Sequence, residues 1–580
     1  MGKVDTNVGE LVGMIGRGDL RLPEMQRRYV WPATRVRDLL DSLYRGYPSG
    51  TILIWETDQE APARDLAVAQ EKPAFMTQKL LLDGQQRLTS LAAVMNGEPV
   101  TVRNRKRPID ILFNLEHPEG PPVELTEVED DSEFPLLEAG DDEPEDDAED
   151  EEMTIQQRLS RRTFVVSSRQ LLAIPTWVKV SDVLDGKKSD WALLKPLGLQ
   201  PDDPLYEKYT QRLQKLRQIK NYPYVMQVLE RDLAYEEVAE IFVRVNSLGV
   251  KLRGSDLALA QVTARWKNSL KLFEDFAEEL EKSWFTVDVG LLVRAMVVFA
   301  THQSRFKTVQ SISVPRMQAA WDQAKQGLQF AVNFLRTNAG IEDESLLTSP
   351  LIIIAIAAFG LIKDGVLTAQ EQKELLKWVL VANARGRFSR GSTETILDQD
   401  LNVIFKGAGI DELFALMLQQ LGRLHVQPED FAGRGARSTL FSTSYVTLKA
   451  RGAKDWRSGL GLSLTHQGKM HYVEYHHIFP KSLLAKYGYD KAEINEIANI
   501  AFISGRANRG ILNKEPRKYL PEVTAHQGEE ALKTHLIPTD PSLWELDRYR
   551  DFLDWRRREL TSAVNSFLET PTQLAAGSND

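Results

Sequence analysis

Cysteine is absent from the 580 residues, which excludes a disulfide framework, a thiolate zinc site, an iron–sulfur cluster and a cysteine nucleophile. Long apolar runs are absent too. The longest, Leu351 to Ile362, is twelve residues, too short for a bilayer and suited to a buried helix. The opening MGKVDTNVGELVGMIG has acids and glycines where a secretory segment needs an unbroken apolar stretch. These absences predict a cytoplasmic chain with no membrane partner. Hydrophobic residues make up 42% and charged residues 27%, as in ordinary globular protein. The length predicts two to four domains.

The net charge of −10 is unevenly placed. Glu124 to Glu152 carries 17 acidic and no basic residues, and without that −17 the other 551 residues carry +7. The acidic run reads as a solvated insertion; the alternative, a stretch that competes with polyanions for a basic groove, is less favoured. The remainder of the chain is basic enough to meet nucleic acid.

The first 110 residues alternate helix and strand signals. Val36, Leu39, Leu40, Leu43 and Tyr44 recur at helical spacing over Thr34–Arg45, Pro48-Ser49-Gly50 ends that helix, and Thr51–Trp55 reads as a buried strand. Lys79–Leu82 is a second strand, broken by Asp83-Gly84 and followed by a helix with Leu88, Leu91, Ala92 and Met95 inward. Thr163–Val180 and Tyr222–Leu229 are strand-like, and Glu236–Val245 is a helix with Val238, Ile241, Phe242 and Val245 inward. The expected organisation is multidomain α+β: an N-terminal α+β domain over 1–262 with the acidic insertion 124–152, an irregular all-α domain over 263–425, and a third domain over 430–580. The helical stretches are Glu274–Trp284, Val314–Leu335, Ser349–Ile362 and Glu371–Ala384, and a last helix is expected over Leu543–Leu568. Six of the nine histidines fall between His466 and His535.

That last segment carries the most chemistry. Phosphodiester hydrolysis needs a base to take a proton from water and a divalent cation to stabilise charge on phosphate and leaving oxygen. Glu474-Tyr-His476-His477-Ile-Phe-Pro480 sets two histidines side by side, and on a strand neighbours point to opposite faces. One can hold metal while the other faces substrate. Some thirty residues on, Asn508 offers a neutral oxygen to the same metal, and Arg506, Arg509, Lys514, Arg517 and Lys518 surround it as candidate phosphate contacts. His476-His477-Ile-Phe-Pro480, Asn499 and Asn508-Arg-Gly510, in this order, resemble an HNH endonuclease of the ββα-metal type. The resemblance implies that His477 is the general base, that His476 and Asn508 are metal ligands, and that Asn499 braces the loop. It covers roughly 45 residues. No His-x-x-x-His follows Asn508, unlike the zinc-binding colicin type, which favours Mg2+ or Mn2+.

Three N-terminal motifs accompany it. Pro23-Glu-Met-Gln26-Arg27-Arg-Tyr-Val-Trp31 gathers amide, guanidinium and aromatic groups. Leu81-Leu-Asp83-Gly84-Gln-Gln86-Arg87 is a strand, a glycine turn and a helix start, where free N–H groups and the dipole favour phosphate. Asp83 is placed either to hold the magnesium of a nucleotide or to cap the helix. Phe242-Val-Arg244-Val-Asn246-Ser-Leu-Gly249 sets an Arg and an Asn beside a glycine stop. Followed by Lys251-Leu-Arg-Gly-Ser-Asp256-Leu, these motifs resemble the N-terminal domain of GmrSD-type restriction systems. The resemblance implies a ParB/sulfiredoxin-like fold that binds and hydrolyses nucleoside triphosphate through Asp83, Gly84, Gln86, Arg87, Gln26, Arg27, Arg244 and Asn246.

With both ends matched, the resemblance implies a single-chain type IV restriction enzyme. It would cut double-stranded phage DNA whose cytosines are hydroxymethylated or glucosylated, with nucleotide as a further partner and a homodimer permitted. One alternative keeps the chemistry but senses backbone phosphorothioate and nicks invading DNA; another is a non-catalytic nucleic-acid-binding NTP switch with a relic HNH fold. Tyr29, Trp31 and Trp55 are candidates for an aromatic cage around a flipped base, although core positions suit them better. The loop Arg385-Gly-Arg387-Phe-Ser-Arg390 reads equally as a DNA-backbone contact or a solvated interhelix loop, and Gly433-Arg-Gly-Ala-Arg437 as a linker.

Overall fold

In this computed structural model the described residues are 2–26, 31–58, 63–70, 78–102, 105–107, 109–120, 161–200, 202–248, 254–282, 285–389, 391–407, 409–464, 473–511 and 513–570. Arg27, Tyr29, Arg390 and the acidic insertion lie outside them. The chain divides after Leu270 into two compact units. Among the described residues, no helix is long and apolar enough to cross a membrane.

The first unit is built on a six-stranded mixed sheet. Its strands are β1 (Gly2–Asn7), β2 (Leu20–Pro23), β3 (Ile52–Thr57), β4 (Ala63–Arg64), β5 (Gln78–Asp83) and β6 (Pro223–Leu229), in the order β1-β6-β3-β5-β2-β4. Strand β6 runs parallel to β3 and β2 runs parallel to β5, while the other neighbours are antiparallel. Alternation along the strands feeds two cores. Ile52, Ile54 and Leu81 face helices α1 (Val8–Gly16), α2 (Ala33–Arg45) and α3 (Gln85–Asn96). Leu53, Trp55, Leu80 and Leu82 face Val238 and Phe242 of the helix Tyr235–Leu248, and Ala260 and Ala264 of the helix Gly254–Arg265. The expected apolar face of α2 is wholly buried, and so is that of α3. Asn7 caps α1 through its side chain, which accepts from the Glu10 amide at 2.9 Å. In the helix Tyr235–Leu248, Val245 is exposed rather than inward: a sheet on one side needs a narrower apolar stripe than the periodicity offered. The stretch Thr163–Val180 resolves into two short strands, Phe164–Val166 and Trp177–Lys179, flanking Ile111–Asn114 in a separate three-stranded sheet.

The second unit opens with helices. Helix α4 (Val314–Thr337) lies against α5 (Leu351–Ile362), the twelve-residue apolar run. Their approach depends on Gly360, where a Cβ would overlap the Phe330 ring. The unit continues into the helix Thr439–Ala450 and then a short antiparallel pair, β7 (Val473–His477) and β8 (Ile500–Ser504), followed at once by helix α6 (Gly505–Ile511). Tyr549–Glu569 forms the closing helix α7. It starts later than the periodicity suggests, because Asp540 and Pro541 open a 3-10 turn and Glu545 is extended, breaking the run from Leu543.

Candidate active site

Strand β7 puts its two histidines on opposite faces, as the two-residue period requires. His476 is buried. It packs edge-on to Trp456 and Tyr519, and its Nδ1 lies 2.7 Å from the Asn508 side-chain oxygen. Its Nε2 is enclosed without a partner, so in the neutral ring the proton belongs on Nδ1, donated to Asn508. Burial lowers the pKa of His476 to about 4, against a smaller upward pull from Asn508. The ring therefore stays neutral, as a metal-binding imidazole must. His477 turns toward Tyr475 on the other face. Burial first, then the charge of Lys481, lowers its pKa to about 3, and the Asn495 side chain offers a hydrogen bond that pulls the other way. Its Nε2 is likewise enclosed and unpartnered.

Asn499 is completely buried in the 3-10 turn just before β8. Its oxygen accepts from the Phe479 amide at 2.8 Å, and its nitrogen donates to the carbonyls of Phe479 at 3.1 Å and Ile494 at 3.0 Å. The backbone of Phe479, within the His-Ile-Phe-Pro turn, is thereby tied at both its N–H and its carbonyl to the segment before β8. Arg556 of α7, also fully buried, donates to the carbonyls of Ala498 at 2.8 Å, His535 at 3.1 Å and Leu536 at 3.0 Å. Glu474 is the group that sequence reasoning left without a role. It shares a face of β7 with His476, accepts from Asn508 Nδ2 at 2.8 Å, and meets Arg509 at 3.4 Å. Its two-residue offset from His476 was the available signal.

The candidate phosphate contacts differ in setting. Arg506 is exposed on α6, Arg509 is turned toward Glu474, and Lys514 meets Glu522 at 3.4 Å. Arg387 is no DNA contact: it is buried and forms a bidentate pair with the equally buried Asp400, while Arg385 pairs with Asp430. Gly433–Arg437 is more than a tether, since the Gly433 amide donates to Glu496 and the Arg434 carbonyl accepts from Ile497.

A metal fits the donor set at His476 and Asn508. An imidazole nitrogen and an amide oxygen, both neutral donors of the kinds that divalent cations take, stand together here, 2.7 Å apart. His476 and Asn508 would hold such an ion through Nδ1 and Oδ1, with the imidazole neutral. Among the described residues no group of three or more His, Asp or Glu forms a metal cage. The candidate centre therefore consists of an imidazole, an amide and one nearby carboxylate.

In the first unit, β5 delivers Asp83 to a turn at Gly84, whose φ of 101° and close approach to Ile52 exclude a side chain. Arg87, one turn into α3, donates to the carbonyls of Ser49 and Thr51, the latter at 2.8 Å, and to Asp83 at 3.0 Å. Gln26 is buried, and its amide donates to the Leu81 and Leu82 carbonyls at 2.5 and 2.7 Å. Gln86 accepts from the Trp31 amide at 3.2 Å. Gln26, Asp83, Gly84, Gln86 and Arg87 thus gather at one end of β5. Arg244 is exposed and paired with Glu240 one turn earlier on its helix. The side chain of Asn246 lies outside the described residues. Trp55 is fully buried, its indole N–H donated to the Glu230 carbonyl at 3.1 Å, and Trp31 packs against the α1–α3 core.

Residues 8–263 match the N-terminal domain family of the GmrSD restriction endonuclease. An uncharacterized protein of Methanocaldococcus jannaschii is 23% identical to this chain, and the match spans 98% of the chain and 97% of that protein. The family match supports a GmrSD-like restriction enzyme, a class that acts as a nuclease in phage defence.

Proposed function

We propose that this chain is a modification-dependent (type IV) DNA endonuclease of anti-phage defence, regulated by nucleoside triphosphate. It cleaves double-stranded DNA bearing hydroxymethylated or glucosylated cytosine by metal-dependent phosphodiester hydrolysis. The observation that carries this reading is the meeting of His476 Nδ1 and Asn508 Oδ1, drawn from residues 32 apart, with His477 on the opposite face of the same strand.

His476 and Asn508 hold a divalent cation, Mg2+ or Mn2+. Such an ion, when bound, stabilises negative charge on the phosphate and on the leaving oxygen. His477, neutral and with its Nε2 enclosed in the free protein, accepts the proton of the attacking water once DNA entry opens that enclosure, and the entering phosphate anion raises its basicity toward working pH. Asn499 fixes the turn that aims His477. Arg506, Arg509 and Lys514 hold the flanking phosphates. At the other end of the chain, the turn Asp83-Gly84 with Gln26, Gln86 and Arg87 takes the nucleotide. Its phosphates compete with the Ser49 and Thr51 carbonyls for Arg87, which gives nucleotide binding a direct effect on that loop.

One cleavage experiment tests the reading. Wild type, His477→Ala and Arg87→Ala meet unmodified, glucosyl-hydroxymethylated and phosphorothioated DNA, with Mg2+ or Mn2+, with and without nucleoside triphosphate. Cleavage of glucosylated DNA alone, lost in His477→Ala, is the expected result. If Arg87→Ala kept the nucleotide dependence of wild type, regulation through that turn would be wrong. Cutting confined to phosphorothioated DNA would move the substrate to backbone modification, and no cutting in any lane would favour a non-catalytic binding protein.

A further inference from the structure

An asparagine amide has two ends of similar shape and opposite chemistry, and only the oxygen can serve a cation. The end that Asn508 turns toward His476 is therefore decisive, and its own backbone does not fix it. Glu474 lies on the His476 face of β7 and receives Asn508 Nδ2 at 2.8 Å. An ionised carboxylate only accepts, so the NH2 end must face Glu474 and the oxygen must face His476, where it lies 2.7 Å from Nδ1. The carboxylate is held in place for this. Its side chain is 13% exposed, Arg509 lies 3.4 Å from its other oxygen, and a Cβ at position 505 would collide with it, so Gly505 leaves it room.

We propose that Glu474 is a positioning residue that sets the orientation of the Asn508 amide and so prepares the pair His476–Asn508 for a divalent cation. The inference rests on the reading of that pair as metal ligands. A cation that takes Nδ1 removes the His476 hydrogen bond that also holds the amide oxygen, so with Glu474 absent nothing keeps the NH2 end turned away from the cation.

Calorimetric titration of the full chain with Mn2+, without DNA, tests it. Glu474→Ala weakens Mn2+ binding by roughly tenfold to a hundredfold, the usual effect of losing a partner that orients a ligand. Glu474→Gln retains an acceptor oxygen in the same place and binds close to wild type. In Asn508→Asp both side-chain oxygens are equivalent, so adding Glu474→Ala there produces no further weakening. Equal binding by wild type and Glu474→Ala would overturn the inference and leave the ligand pair standing. So would equal weakening in the Ala and Gln variants, since charge rather than orientation would then matter. If wild type and His476→Ala bound Mn2+ alike, or neither bound it, the ligand pair itself would be wrong and the inference would fall with it.

Discussion

His476 and His477 are adjacent in sequence and differ in what surrounds them. His476 faces an amide oxygen and two aromatic walls, whereas His477 faces Tyr475 and the Asn495 segment. Their substitutions should separate accordingly. His477→Ala is expected to lower cleavage by roughly a hundredfold to ten-thousandfold, the range of general acid–base contributions, with Mn2+ affinity kept. His476→Ala is expected to lose both. Equal loss of Mn2+ binding in the two variants would contradict the assignment. A third histidine offers a test of stability. His117 is buried beside Tyr44, whose hydroxyl lies 3.1 Å from its Nε2, and burial lowers its pKa to about 4, with a smaller upward pull from the Pro118 carbonyl. The unfolded chain titrates near 6.5, so it takes up the proton first as pH falls. The contribution is full above pH 6.5, declines between 6.5 and 4, and levels off below that, amounting to about 3 kcal/mol. Urea unfolding of wild type and His117→Gln at pH 7 and pH 4.5 measures it: the variant should lose less stability on acidification, and identical losses would rule the residue out as the cause.

At the scale of elements, two short strand-to-helix turns do most of the positioning. The turn from β5 to α3 works only with glycine at 84, since an L side chain there meets both a left-handed backbone and the Ile52 side chain at 2.6 Å. Gly84→Ala should cost about 2 kcal/mol and lower the melting temperature of the first unit by roughly 4–8 °C. An unchanged melting curve would show that the turn relaxes freely. The sequence announced this turn, because Asp-Gly between an apolar run and a helical period has few other meanings. It did not announce what Arg87 does there, since carbonyls of Ser49 and Thr51 come from a strand start 36 to 38 residues away. The turn from β8 to α6 is the counterpart, carrying Asn508 back beneath His476. Strand β7 was legible from the His-His-Ile-Phe-Pro motif, and the apolar faces of α2 and α3 as periods of 3.6. Helix α1 carries the same helical period in Val8, Leu11, Val12 and Ile15, but strand β1 was not legible, because Gly2–Asn7 is polar and its pairing partner β6 lies more than two hundred residues away.

At the scale of the whole chain, the first unit is built on two apolar clusters, and the second buries its own apolar residues, among them Leu328, Ile353, Val379 and Phe502. Differential scanning calorimetry should therefore resolve two transitions. Mn2+ is expected to raise the one belonging to residues 271–580, and nucleoside triphosphate the other. At a ligand concentration of a hundred times Kd, the stabilisation is about 2.7 kcal/mol. A single transition shifted by both ligands would mean that the units unfold together.

Sequence alone determined whatever depends on local order. It placed the strand carrying both histidines, the helix carrying Asn508, the glycine turn after Asp83, and a family resemblance over the first 260 residues that the comparison bears out. Periodicity and motif spacing are properties of neighbouring residues, and they survive without a fold. Tertiary structure alone decided which polar groups meet. It buried Arg387 against Asp400 instead of leaving it for DNA, gave Arg87 to two distant carbonyls, and set Glu474 behind Asn508. Those outcomes follow from the cost of burying an unpaired polar group. That cost is settled only when segments far apart in the chain pack together.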